Sequence, residues 1–191
     1  MRDIDIRAKI KSTRLQKYIV DLDSKVVDEF CVSVGEARMD IAVINGSLHG
    51  YEIKSDCDTL YRLQSQISTY SKTFDYLTIV TGRKHLENVI EIIPQWCGVI
   101  VATNNKTNNG VNLKTVRKPK INHQVDNLSL AQLLWKDETI QILSTMGIKK
   151  GLSGKPKPVL WKLLADNSSK KELSAWVREK LKLRLNWKSD Q

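Results

Sequence analysis

Apolar and polar positions change period repeatedly along the chain, and each change marks an element. Ile6, Ile10, Leu15, Tyr18 and Ile19 form a ragged helical face behind Asp3 and Asp5, predicting a first helix capped by one of these aspartates and reaching about Val20. Residues 26–32 are a β-branched run that reads as a strand, with a four-residue turn at 33–36 after it. Residues 38–44 and 50–54 are two further strand-like runs, joined through Asn45, Gly46 and Ser47, a tight hairpin signal. A helix capped by Asp58 follows, with Leu60, Leu63, Ile67 and Phe74 on its apolar stripe and Arg62, Gln66 and Tyr70 at i, i+4 and i+8 on another face. Residues 76–81, nearly continuous in apolar and β-branched side chains, predict a buried strand parallel to its predecessor. A short helix over 85–93 stopped by Pro94, a strand over 97–102, a polar loop over 104–110 and an edge strand over 111–116 complete an α/β pattern in the order α-β-β-β-α-β, with a mixed sheet. From Ser129 the periodicity is helical: one segment to Gly147, a basic glycine/proline loop over 149–158, a helix over 159–165 and a longer one over 169–185. The pattern divides the chain into a core over 1–127 and a basic helical region over 128–191.

Hairpin register decides which side chains meet. If Asn45 and Gly46 alone made the loop, Asp40 would fall opposite Tyr51, a charge against an aromatic ring. With Ser47 also in the loop, Ile44 pairs with Leu48, Ala42 with Gly50 and Asp40 with Glu52, while Val43/His49, Ile41/Tyr51 and Met39/Ile53 make the opposite, apolar face. The second register is the expected one. It sets Arg38, Asp40, Glu52 and Lys54 on one face, with two carboxylates whose Cβ atoms would lie about 5 Å apart. Such a pair repels unless something positive lies between. Mg2+ suits it, being a hard cation that takes one or two carboxylates and keeps waters and a phosphate; Mn2+ is a substitute. Lys54 can hold the attacking water or offset phosphate charge. A solvated charge cluster is the alternative, against which several levels of pattern agree.

Asp40 on one strand and Glu52-x-Lys54 on the next resemble the PD-(D/E)XK, or restriction-endonuclease-like, nuclease superfamily, with Met39 standing where its name has proline. The likeness covers residues 26–101. It implies a restriction-endonuclease-like αβββαβ core, Asp40 and Glu52 as metal ligands together with the Ile53 carbonyl, and Lys54 as the catalytic lysine. Gln66-x-x-x-Tyr70 resembles the extra motif of the RecB-like exonuclease branch, which implies that Gln66 and Tyr70, with Arg62 near them, line the site and contact nucleic acid. Many members add a glutamate from the first helix; that helix has none here. Glu29, opposite Asp40 if Val32 pairs with Ala37, is the candidate, and a surface glutamate on an edge strand is its alternative.

Composition sharpens the picture. The net charge of +10 is concentrated in residues 146–191, where twelve Lys and Arg face four acids, a local +8. A near-neutral body with a basic tail suits a polyanion. The helix, Gly-Leu-x-Gly-Lys loop and helix over 136–166 faintly resemble SAP-type DNA-binding modules, which would set Lys149, Lys150, Lys155 and Lys157 on phosphates; a helical lid with Trp135, Trp161 and Trp176 packed inward is the alternative. Cys31, Cys57 and Cys97 have no ligand or disulfide spacing, too few for the iron-sulfur cluster some RecB-like relatives carry, and read as reduced core or subsurface thiols. His49 reads as structural, His85 and His123 as surface residues. No apolar run approaches a membrane span and no leader opens the chain, so a cytoplasmic protein is expected. The expected function is a Mg2+-dependent nuclease acting on DNA, with a homodimer compatible. The rivals are a non-catalytic nucleic-acid binder on a nuclease fold, or a toxin- or defence-associated nuclease acting on RNA.

Overall fold

The computed structural model describes residues 1–105 and 110–185. Lys188, counted in the basic tail, and part of the expected polar loop lie outside the described residues. The elements run α1 (Asp3–Thr13), α2 (Gln16–Val20), β1 (Lys25–Val32), β2 (Ala37–Ile44), β3 (Leu48–Lys54), α3 (Leu63–Ser71), β4 (Tyr76–Gly82), α4 (Leu86–Ile92), β5 (Gly98–Asn104), β6 (Val111–Arg117), α5 (Asn127–Ala131), α6 (Lys136–Thr145), α7 (Lys157–Asp166) and α8 (Lys170–Leu183). The strands form one six-stranded mixed sheet in sequence order: β1, β2 and β3 antiparallel, β3, β4 and β5 parallel, and β6 antiparallel at the far edge. A mixed α/β fold is therefore what the chain adopts.

Both sheet faces are covered. On one, Ile6, Ile10 and Leu15 of the first helical segment pack on Ile41, Val43, Tyr51, Ile53, Val80 and Ile100. On the other, Leu63, Ile67, Tyr70 and Phe74 meet Phe30, Met39, Ala42 and Ile44, and the same apolar cluster continues without a gap into Leu134, Leu143, Leu160, Trp161, Leu173, Val177 and Leu181. The C-terminal helices thus share the sheet's core. Trp161 is buried and its Nε1 donates to Leu134 O at 3.0 Å, and Trp176 packs partly buried on the same cluster.

Several boundaries differ from expectation for visible reasons. The first helix does not reach Val20 unbroken: the Arg14 and Leu15 amides both donate to Ile10 O, at 2.8 and 3.0 Å, and the Thr13 hydroxyl donates to Lys9 O at 2.6 Å, which ends the i→i−4 ladder and turns Leu15 into the core. Its first turn is closed by Asp5, whose carboxylate accepts from the Arg2 amide at 3.0 Å. Asp58 does not cap α3. Its carboxylate accepts from the Ser55 amide and hydroxyl at 2.7 and 2.6 Å and closes the loop after β3, so α3 begins later, at Leu63. The helix expected from Ser129 is two, separated at Leu133 and Leu134, whose carbonyls are taken by Arg184 and Trp161 side chains instead of helix amides. His85 is buried rather than on the surface, and Cys57 is exposed rather than in the core. His49 is structural as expected, bonded to Thr78 Oγ1 at 2.9 Å and stacked 4.3 Å from Tyr51, with burial pushing its pKa down to about 4.

Candidate active site

The site is built around a matched irregularity in β1 and β2. Their register runs Val32↔Ala37, Cys31↔Arg38, Phe30↔Met39 and resumes at Asp28↔Ile41, which leaves Glu29 opposite Asp40 as expected from the turn length. At that point neither strand alternates. Glu29 has φ 54°, the left-handed region that a side chain rarely adopts, and Phe30 and Met39 join the same face as Val27 and Ala42. Met39 was expected on the Ile41 face and lies on the other. Gly50 makes room for it: a Cβ at Gly50 would sit 2.7 Å from Met39 Cε.

The hairpin register is the expected one, with Ile44↔Leu48, Val43↔His49, Ala42↔Gly50 and Ile41↔Tyr51, but the ladder stops there. Beyond it the Ile53 amide has lost its strand partner, and Asp40 Oδ2 accepts its hydrogen bond at 2.7 Å. A side chain has replaced a carbonyl in the sheet, and so Asp40 is brought next to β3 in the sheet plane.

Glu52 and Lys54 project together toward α3, as period-two alternation requires. Glu52 is 2% exposed and Lys54 8%. Lys54 Nζ donates to Glu52 Oε1 at 2.7 Å, and Gln66 Nε2 donates to the same oxygen at 2.8 Å. The Tyr70 hydroxyl lies 3.0 Å from Glu52 Oε2 and 2.8 Å from Arg38 O, sharing one proton between two acceptors. Burial and the Glu52 charge raise the pKa of Tyr70, which keeps that proton in place. Gln66 Oε1 is buried without any hydrogen-bond donor. The four residues singled out as Glu-x-Lys and Gln-x-x-x-Tyr therefore converge on one carboxylate.

Arg7 completes the site, and sequence reasoning missed it. Its Nη1 donates to Asp40 O at 2.7 Å, while Nη2 lies 3.0 Å from Asp40 Oδ1 and 2.9 Å from Glu29 Oε1. Its Nε donates to Asp3 Oδ1 at 3.2 Å, and Asp28 Oδ1 is 3.6 Å from Nη1. Burial works against the Arg7 charge, but Asp3, Asp40 and Glu29 outweigh it and raise its pKa. The local signal was the Asp3/Arg7 i,i+4 pair; the contact with β2 bridges 33 residues and leaves no periodic trace. Asp40 itself is pushed up to about 7, by burial first and the Glu52 charge second, against the pull of the Ile53 amide and Arg7.

Arg7, Glu29, Asp40, Glu52, Lys54 and Gln66 line an open cleft of about 650 Å³ that also takes in Asp58, Ser65, Thr69 and Arg62, whereas Tyr70, expected to line it, is fully buried and reaches it only through Glu52 and Gln66. Arg62 is exposed and makes no ion pair among the described residues. Glu29 sits at the rim between Arg7 and Arg38, whose Nε is 2.8 Å from Glu29 Oε2. Asp56, weighed as a water-mediated ligand, instead accepts from the Lys84 amide at 3.2 Å and lies outside the cleft lining. Among the described residues no set of three or more His, Cys, Asp or Glu stands ready to hold a metal. The loop lysines 149, 150 and 155 do not reach the cleft; Lys157 lines a groove of about 120 Å³ beside it, whose Cys31 and Gly35 wall is common to both.

No solved structure matches the chain at a significant level. Protein cII of Enterobacteria phage P4 is 31% identical over 126 residues, covering 66% of this chain and 47% of that protein, so the match spans about half the length of that relative. The family model described as Bacteriophage P4 protein cII matches residues 3–191, nearly the whole sequence. The chain belongs to the bacteriophage P4 protein cII family.

Proposed function

We propose that the chain is a Mg2+-dependent nuclease of the PD-(D/E)XK type, built on a restriction-endonuclease-like αβββαβ core and hydrolysing phosphodiester bonds in DNA. The observation that carries this reading is Glu52: a carboxylate 2% exposed, met by Lys54, Gln66 and Tyr70, with Asp40 arriving from the next strand. Burying two acids and a lysine destabilises a fold that could have used apolar residues there. An acid perturbed as Asp40 is, in an open cleft, is a mark of chemistry.

The donor set fits a hard divalent cation. Both Asp40 oxygens and Glu52 Oε2 have lone-pair capacity beyond their present bonds, while Glu52 Oε1 is filled by Lys54 and Gln66, and Gln66 Oε1 is an unsatisfied acceptor at the same place. Asp40, Glu52 and the Ile53 carbonyl would hold the ion, and Glu29, the auxiliary acid, lies at the rim paired with Arg7 and Arg38. Bound there, Mg2+ would polarise the phosphoryl oxygen and lower the pKa of water. Lys54 would orient that water and balance charge on the phosphate. Tyr70 and Gln66 fix Glu52 in position, and Arg62, exposed at the cleft edge, would steer the nucleic-acid backbone. Lys149, Lys150, Lys155 and Lys157 would add affinity that carries no sequence information.

A second reading keeps a specific observation on its side. Both acids are already matched by protein cations, Asp40 by Arg7 and Glu52 by Lys54, so a non-catalytic nucleic-acid binder would not present bare carboxylates to phosphate. Linear, circular and single-stranded DNA and RNA incubated with the protein in Mg2+, Mn2+ or EDTA separate the two. The nuclease cuts DNA with metal and stops in chelator; a pure binder retains every substrate whole and binds it equally in EDTA.

A further inference from the structure

We infer that Arg7 is an internal counter-ion standing where the divalent cation would bind, so that metal entry requires the guanidinium to leave Asp40. The inference rests on the metal-nuclease reading of the same cleft. Its basis is the way one guanidinium bridges carboxylates of two strands, Asp40 at 3.0 Å and Glu29 at 2.9 Å, and also holds the Asp40 carbonyl at 2.7 Å. A divalent ion held by Asp40 would bring a second positive charge onto the carboxylate that Arg7 now neutralises, 3.0 Å from the guanidinium, and like charges that close repel strongly in a partly buried site.

The structure also supplies somewhere for the guanidinium to go. Asp3, four residues earlier on α1, is bonded to Nε at 3.2 Å, and Asp28 lies 3.6 Å from Nη1. Asp3 is on the helix and Asp28 on β1, which does not pair with β3, and Asp28 is also paired with Lys11. Letting go of Asp40 therefore leaves Arg7 neutralised by acids outside the metal position. Glu29 acquires a definite role: it anchors Arg7 on Asp40 and is not a metal ligand.

Calorimetric titration of the EDTA-stripped full chain with Mn2+ tests this without relying on cleavage. Arg7→Gln should bind Mn2+ about tenfold more tightly than wild type, the scale expected when charged hydrogen bonds no longer compete for the ligand. Glu29→Gln should also bind more tightly, whereas a ligating Glu29 would make it bind more weakly. Asp40→Asn should lose the site. If Arg7→Gln does not fold, the Arg7 Nε–H resonance of wild type decides: it should shift on saturation with Mg2+, and an unmoved resonance overturns the inference. Equal Mn2+ affinity in wild type and Arg7→Gln, with cleavage intact, overturns the counter-ion role alone. Absence of Mn2+ binding in wild type, Arg7→Gln and Glu29→Gln overturns both it and the nuclease reading.

Discussion

Asp40 accepts a hydrogen bond that a strand carbonyl would ordinarily receive, and it does so with most of its side chain withdrawn from water. Its pKa is pushed from 3.8 up to about 7 by burial and by Glu52. The folded chain thus holds this proton more tightly than the unfolded chain does. The stability so gained is full below the ordinary aspartate pKa and is lost as the pH rises through about 7. Urea unfolding of wild type between about pH 4 and pH 8 should show this fall, on the order of a few kcal/mol at most, and Asp40→Asn should flatten it while still accepting from Ile53. A wild-type curve parallel to that of the variant would contradict the assignment. Periodicity put Glu52 and Lys54 on one strand face and Gln66 and Tyr70 on one helix face, and the resemblance to the PD-(D/E)XK and RecB-like motifs is what implied that the two pairs meet. Arg7 was not legible, since its partners come from β1 and β2, and no local period encodes a helix crossing a sheet. The side of Met39 was not legible either, because alternation fails where Glu29 adopts φ 54°.

Among the elements, the hairpin and the β3-α3-β4 unit follow from turn length and apolar runs; the pairings from Ile44/Leu48 to Ile41/Tyr51 match, whereas the expected Asp40/Glu52 and Met39/Ile53 pairs lie beyond the end of the ladder. The break between α5 and α6 was hidden because it is a tertiary effect: the side chains of Arg184 and Trp161, from distant segments, take the Leu133 and Leu134 carbonyls that would have continued the helix. Arg184 shows how strong that is. Its side chain is 3% exposed, it pairs with Glu138 through Nε at 2.8 Å, donates to Leu133 O at 2.7 Å, and lies 4.2 Å over the Trp135 ring. The end of α8 is clamped onto the gap between α5 and α6. Arg184→Ala leaves the Glu138 carboxylate with the Trp135 amide but no counter-ion, and the Leu133 carbonyl without the Arg184 donor, and should cost about 3–5 kcal/mol in denaturant unfolding. A loss below about 1 kcal/mol would mean that the helix docks through Leu173, Val177 and Leu181 without this clamp.

Across the whole molecule, a single apolar cluster joins the sheet to the C-terminal helices, and among the described residues no helix is long and apolar enough to cross a membrane. Membership of the bacteriophage P4 protein cII family covers residues 3–191, the basic helical region included. Among the described residues, none of the basic side chains beyond residue 146 lines the cleft, and Lys157 lies at the neighbouring groove. Replacing Lys149, Lys150, Lys155 and Lys157 by alanine should make DNA binding less salt-dependent, the slope of log K against log salt falling by roughly 0.9 for each phosphate that is no longer neutralised. An unchanged slope would assign those lysines to a solvated face. The central claim is that buried Glu52, flanked by Asp40 and Lys54, makes this cleft a site of phosphodiester hydrolysis. The rate of DNA cleavage in Mg2+ by wild type and by Glu52→Gln, which preserves size, measures that most directly. The account predicts cleavage by wild type and a loss of about a hundredfold or more in the variant; equal rates, or wild type that leaves DNA whole, would contradict it.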